Sequence, residues 1–139
     1  MSHIYKILNF NSHNIKIDEE IYDQIKWFNE NGYVTGESCQ GGRIRRDEIE
    51  PLYIVFTRLN KNQKRTLSKI CKKLKIKFQP AYLYIVSYPH GRRSPFGMEI
   101  SIKGEGNRVE LLDKVIAQLE QFHLKNNSKK FKAINKGFS

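Results

Sequence analysis

Along the first half of the chain the apolar positions change period several times, and each change marks an element. Ile4 to Phe10 is a dense apolar and aromatic run of strand length, Asn11-Ser12-His13-Asn14 reads as a turn, and Ile15 and Ile17 sit in a short extended piece. The spacing then becomes helical. Ile21, Ile25 and Phe28 fall at i, i+4 and i+7, one apolar stripe on a helix that begins near Asp18 and is closed by Gly32. Asp18 is placed to accept from the free amides of the first turn, and Glu19 and Glu20 sit where the positive end of a helix favours acids. Tyr33 to Glu37 reads as a strand leading into a loop at Cys39. After Pro51, the run Leu52-Tyr53-Ile54-Val55-Phe56-Thr57 lacks polar alternation until its end, which predicts a central strand covered on both faces.

A second helix fits Lys61 to Leu74, with Leu67, Ile70 and Leu74 facing inward. Lys75 to Phe78 and Ala81 to Tyr88 read as two strands joined around Pro80, and a loop from Pro89 to Gly97 leads to a strand at Met98 to Lys103. Val109, Leu112, Val115, Ile116 and Leu119 stripe a last helix from about Asn107 to Phe122. The order predicts an α+β fold: a largely antiparallel sheet packed against about three helices in a single domain, residues 1–122, with a basic C-terminal extension at 123–139.

Charge then narrows the partners. The chain has 139 residues with 25 Lys and Arg against 14 Asp and Glu, a net charge of +11, so nucleic acid, free nucleotides and acidic surfaces are the partners to expect. Nine basic residues between Arg58 and Lys77 face no acid in that stretch, and the extension adds Lys125, Lys129, Lys130, Lys132 and Lys136 with none. Lysines on an amphipathic helix are also what a solvated face looks like. With two cysteines, no secretory apolar region and no run long enough to span a bilayer, the reading is a cytoplasmic protein with reduced thiols and no membrane partner.

Two loops carry candidate chemistry. The first, Cys39, Gln40, Gly41, Gly42, Arg43, Ile44, Arg45 and Arg46, joins small residues to a thiol and three arginines. Glycines let a backbone come close to a ligand, and guanidinium forks grip phosphate oxygens at two points. Amides from Gln40 to Arg43 and the side chains of Arg43, Arg45 and Arg46 could then cradle an anion. The second loop offers Tyr88, His90, Arg92, Arg93 and Phe96: rings for stacking and cations for phosphate. The expectation is that both loops gather round one ligand.

Other uses of Cys39 compete with this. Cys39, Gly42 and Arg45 match C-x-x-G-x-x-R, which resembles the phosphate loop of cysteine-dependent phosphatases. Yet Ser38 stands where that family has His, and Pro51 leaves no room for the long helix that would activate the thiol. A buried structural cysteine is the plainer role. His3, His13, His90 and His123 are scattered with no ligand spacing, so neither a metal nor any other cofactor is expected.

Asn29, Gly32, Tyr33, Thr35, Ser38, Cys39 and Gly41 spell N-x-x-G-Y-x-T-x-x-S-C-x-G. This resembles a pattern of small phage and bacterial proteins that includes the phage anti-Thoeris nucleotide sponges. That resemblance implies binding and sequestration of a small anionic cyclic nucleotide, such as a cyclic ADP-ribose isomer, without turnover, to counteract bacterial defence, and a homo-oligomer. Ser38-Cys39-Gln40-Gly41 with Arg43-Ile44 is also similar to the S-C-S-G-R-I motif of wybutosine-synthesising tRNA methyltransferases, which implies the alternative of an RNA-binding or tRNA-modifying protein.

Overall fold

In the computed structural model, residues 3–85, 92–104 and 107–136 are described, with side chains at 3–44, 46–82, 97–104 and 107–125. The element order is β1 (Tyr5–Phe10), β2 (His13–Asp18), a 3-10 turn at Glu19–Ile21, α1 (Tyr22–Glu30), β3 (Thr35–Cys39), β4 (Ile44–Arg45), β5 (Glu48–Ile49), β6 (Leu52–Phe56), α2 (Lys61–Leu74), β7 (Lys77–Ile85), β8 (Arg92–Ile102) and α3 (Arg108–Lys136). All strand pairing is antiparallel. β1 and β2 form a hairpin, β4 and β5 a second one, and the main sheet runs β3-β6-β8-β7. The fold is α+β, as the alternation of periods predicts.

β6 is interior, between β3 and β8, but its two faces differ. Leu52, Ile54 and Phe56 join Ile100 and Ile102 of β8 in a core completed by Ile25 and Phe28 of α1, Leu67 and Ile70 of α2, and Leu112, Val115 and Leu119 of α3. On the other face Val55 is buried, whereas Tyr53 is only half-buried and reaches Glu37 at 3.5 Å. The period of 2 in a strand is what separates these sets.

Pro80 does not divide two strands; it lies inside β7, paired with Met98. β7 is the edge of the sheet, where a residue without an N–H removes no ladder bond on its open side. Asp18 does not cap the helix, because its carboxylate is taken by the Cys39 loop instead. α2 has the bounds its periodicity predicts, and its first turn is fixed by a reciprocal box in which Asn60 Oδ1 accepts from the Gln63 amide and Gln63 Oε1 accepts from the Asn60 amide. α3 runs past Phe122 to Lys136 without a break. His123 is held there, its Nε2 3.0 Å from the Tyr33 hydroxyl and its ring against Trp27.

The segment that carries the N-x-x-G-Y-x-T motif is a structural clamp. Asn29, on the last turn of α1, is 2% exposed; its Nδ2 donates to Ile25 O at 2.8 Å and Thr35 Oγ1 at 3.0 Å, and its Oδ1 accepts from the Thr35 amide at 3.1 Å. Gly32 takes φ +86° to turn the chain, and the Tyr33 amide returns to Phe28 O at 2.8 Å. One amide side chain thus sets how α1 enters β3, and β3 delivers Cys39. Among the described residues no helix is long and apolar enough to cross a membrane.

Candidate functional site

The Cys39 loop leaves the end of β3 and turns into the β4–β5 hairpin. Gly41 (φ +70°) lies so close to the chain at Glu50–Leu52 that a Cβ there would stand 2.5 Å from Pro51 C and 2.6 Å from Glu50 O. No side chain fits, which is why glycine occupies it. The Gly42 amide donates to Glu50 O at 2.8 Å and the Glu50 amide to Arg43 O at 2.7 Å, so the hairpin ladder begins directly after the loop. Arg46 and Asp47, with φ +50° and +65°, make the tight turn at its tip.

This geometry places the expected site residues apart. Arg43 turns back along the hairpin, its Nε 3.2 Å from Glu50 Oε1 and its Nη2 3.1 Å from Oε2. The adjacent carboxylate holds its pKa above the ordinary value. Arg46 is exposed at the far tip, and Arg45 lies in β4 with its side chain outside the described residues. The backbone of Arg92 in the second stretch is not gathered here either. Cys39 and Ser101 both pair with Tyr53, whereas Arg92 pairs with Ile85 at the other end of β8. At ~3.3 Å per residue the backbone at Arg92 stands about 30 Å along the strand from the level of Cys39. Tyr88 and His90 lie outside the described residues, as do the side chains of Arg92, Arg93 and Phe96. Antiparallel register decides this: neighbouring loops in sequence space alternate between the two ends of a sheet.

The expected cradle of free amides is also corrected. The Gln40 amide donates to Asp18 Oδ2 at 2.8 Å, the Gly41 amide to the Cys39 sulfur, and the Gly42 amide to Glu50 O. The loop amides from Gln40 to Gly42 therefore hold the protein's own acceptors.

Cys39 is buried at 8% exposure, and its thiol donates to Glu50 Oε1 at 3.4 Å. Burial pushes the thiol above its usual range; the Gly41 amide lowers it, and Glu50 and Asp18 raise it again. A phosphatase nucleophile needs the reverse balance, a thiolate stabilised by cations or a helix terminus. His3 Nδ1 lies 4.0 Å from the sulfur and 2.9 Å from Asp18 Oδ2, so one nitrogen faces both groups. A catalytic relay would use one ring nitrogen for each. The thiol is thus a poor nucleophile, and the sequence-distant neighbours His3, Asp18 and Glu50 are what the linear reading missed.

No protein-family model, curated protein or solved structure matches the chain.

Beside the loop opens a cleft of about 690 Å³ lined by His3, Ile4, Glu19, Glu20, Gln40, Gly41, Gly42, Arg43, Ile44 and Arg108. That volume lies in the range of small-ligand clefts. Of the residues singled out in the sequence, Gln40, Gly41, Gly42 and Arg43 line it. Arg108, the first residue of α3, does not announce itself in the sequence. Its Nη1 donates to Gly104 O at 2.8 Å, its Nη2 lies 2.6 Å from where a Cβ on Gly42 would be, and its Nε is buried without a partner among the described residues. The glycine at position 42 is what allows the guanidinium this close. Ile4 and Ile44 stand 69% and 75% exposed on the same cleft, two apolar surfaces left uncovered at a charged site.

Proposed function

We propose that the chain captures a small anionic nucleotide in the cleft between the Cys39 loop and the start of α3, and holds it without turnover. The observation that carries this reading is Arg108, seated against Gly42 with a buried Nε that has no partner among the described residues. A phosphate oxygen supplies the acceptor such a guanidinium lacks, aided by the positive end of α3. The free edge of the Arg43 fork adds a second contact, Ile4 and Ile44 offer apolar surface to a flat base, and Glu19 and Glu20 can accept from sugar hydroxyls. The burial of Cys39 and its contact with the Glu50 carboxylate support sequestration over thiol chemistry. A role in counteracting bacterial defence, and assembly into a homo-oligomer, follow from the resemblance to the phage sponges and belong to the same proposal.

The test is to incubate the protein with nucleotide-rich lysate, wash, release the ligand by heat and identify it by mass spectrometry. An arginine–phosphate contact contributes about 1.5–3 kcal/mol, so Arg108→Ala should weaken capture roughly 10- to 100-fold. Unchanged capture in that variant, or no nucleotide released from the wild type, would sink the reading.

A second reading, binding of RNA, draws on a separate surface. Arg58, Lys61, Lys64, Arg65, Lys69, Lys72, Lys73, Lys75 and Lys77 are all exposed. Between α2 and α3 a groove of about 420 Å³ is lined by Arg65, Lys69 and Lys125 together with Asn62, Gln118 and Gln121. Binding through many phosphates falls steeply with salt, whereas a pocket for one nucleotide loses little. Ending the chain after Lys125 should weaken a polymer binder and leave nucleotide capture intact.

A further inference from the structure

We infer that His3, Cys39 and Glu50, with the Asp18 carboxylate beside His3, form a binding site for a divalent transition metal of the zinc class. These three residues offer an imidazole nitrogen, a sulfur and a carboxylate oxygen that all lie within 4.8 Å of one another. Asp18 Oδ2 is 2.9 Å from His3 Nδ1, Glu50 Oε1 is 3.4 Å from the sulfur, and the sulfur is 4.0 Å from Nδ1. In a tetrahedral site with bonds of about 2.0–2.3 Å, donor atoms stand roughly 3.3–3.7 Å apart. The two separations from the sulfur lie within about half an ångström of that range, and the imidazole nitrogen and the Glu50 oxygen stand within 4.8 Å of each other.

The surroundings are those of a held donor set. The His3 and Asp18 side chains are 6% and 4% exposed, and Nε2 of His3 is buried with no partner among the described residues. Each carboxylate is oriented from behind: the Gln40 amide donates to Asp18 Oδ2 at 2.8 Å, and the Arg43 fork grips Glu50 at 3.1 and 3.2 Å. Such outer contacts fix and tune metal ligands. The lone pair of Glu50 Oε1 that now accepts from the Cys39 thiol is the one that would turn to the metal once that proton leaves. The mixed N, S and O donor set suits zinc or cobalt rather than magnesium or calcium. On binding, the thiol proton that now points at Glu50 leaves to solvent and the sulfur takes the metal, while the imidazole proton moves from Nδ1 to Nε2 and no electron changes hands. Cys71 has no part in it, being buried among the core side chains.

The experiment needs no nucleotide, so its outcome is separate from that of the capture reading. Tag-free, reduced, chelator-stripped full-length protein is titrated with Co²⁺ and then with Zn²⁺. One equivalent of cobalt should give thiolate-to-metal charge-transfer absorption and tetrahedral visible bands, both abolished by excess zinc. Cys39→Ser should remove the charge-transfer band, and His3→Ala should weaken zinc binding at least 100-fold. Gln40 acts through its backbone, so the side-chain test of an orienting contact is Arg43→Ala, expected to cost 10- to 100-fold. Absence of the cobalt spectrum in the wild type, or its persistence in Cys39→Ser, overturns the site. Should those variants not fold, wild-type protein still decides: zinc must slow alkylation of Cys39 and a chelator restore it, and equal rates with and without zinc overturn the site too.

Discussion

Replacing Asn29 tests whether the most motif-like residue of the chain serves the fold or the ligand. In Asn29→Ala, the Thr35 amide, buried and now bonded at 3.1 Å to Oδ1, loses its acceptor, and Thr35 Oγ1 loses the donor at 3.0 Å. Ile25 O loses only an extra bond. An orphaned buried amide costs about 1–3 kcal/mol and the lost hydroxyl bond about 1 kcal/mol, so a destabilisation of roughly 2–4 kcal/mol is expected. For a domain of this size that is a fall in Tm of about 6–12 °C at roughly 3 °C per kcal/mol. Asn29→Asp sharpens the argument. It keeps the acceptor for Thr35 but faces a carboxylate at the Ile25 carbonyl, which raises its folded pKa above the unfolded value of about 3.9. A raised pKa contributes stability at pH below that value and loses it as pH rises, so Asn29→Asp should fall further behind the wild type between about pH 4 and 7. Urea unfolding followed by fluorescence reads both variants through the single tryptophan, Trp27, which lies two residues before Asn29 and packs against Phe28 and Tyr33. An Asn29→Ala stability within about 0.5 kcal/mol of the wild type, together with lost nucleotide capture by the folded protein, would refute the clamp and assign Asn29 to the ligand instead.

Gly41→Ala should destabilise by more than about 3 kcal/mol or prevent folding, since its Cβ meets main chain at 2.5–2.6 Å, whereas Gly104→Ala meets nothing within 4 Å and should cost only the ~1–2 kcal/mol of a positive φ. Urea midpoints of the two variants check the ranking. Asn60→Ala removes the cap of α2 and should cost about 0.5–2 kcal/mol by the same measurement, with no effect on capture. Burial pushes the Cys71 thiol from 9.0 to about 12, so its contribution is complete below pH 9 and is lost as pH rises from there toward 12. Thermal unfolding across that window should decline more shallowly in Cys71→Ala than in the wild type, and parallel declines would show that Cys71 is not the group responsible.

What could be read from the chain alone is what short-range periodicity encodes. α2 occupies the predicted Lys61–Leu74, β6 falls at Leu52–Phe56, and the alternation of periods predicts the α+β class, because burial of one face imposes a spacing of 3.6 or 2 on residues that are near neighbours. Gly41 and Gly42 read in the sequence as places for a ligand to come close, whereas Gly41 lies against the protein's own main chain at Glu50–Leu52 and Gly42 against the Arg108 guanidinium. The site was legible only in part. Gln40 to Arg43 line the cleft, but the amides of Gln40, Gly41 and Gly42 are taken by Asp18, Cys39 and Glu50, and the guanidinium that faces Gly42 belongs to Arg108, far along the chain. Pro80 reads as a break until β7 is known to be an edge strand. Register alone sends Arg92 to the opposite end of β8 from Cys39, and the close approach of His3, Asp18, Cys39 and Glu50 joins three separate stretches of chain. Local sequence sets which residues are helical, extended or buried. Which loops share an end of the sheet, and which buried donors face one another, depends on strand order and pairing, and those are decided only when the core closes.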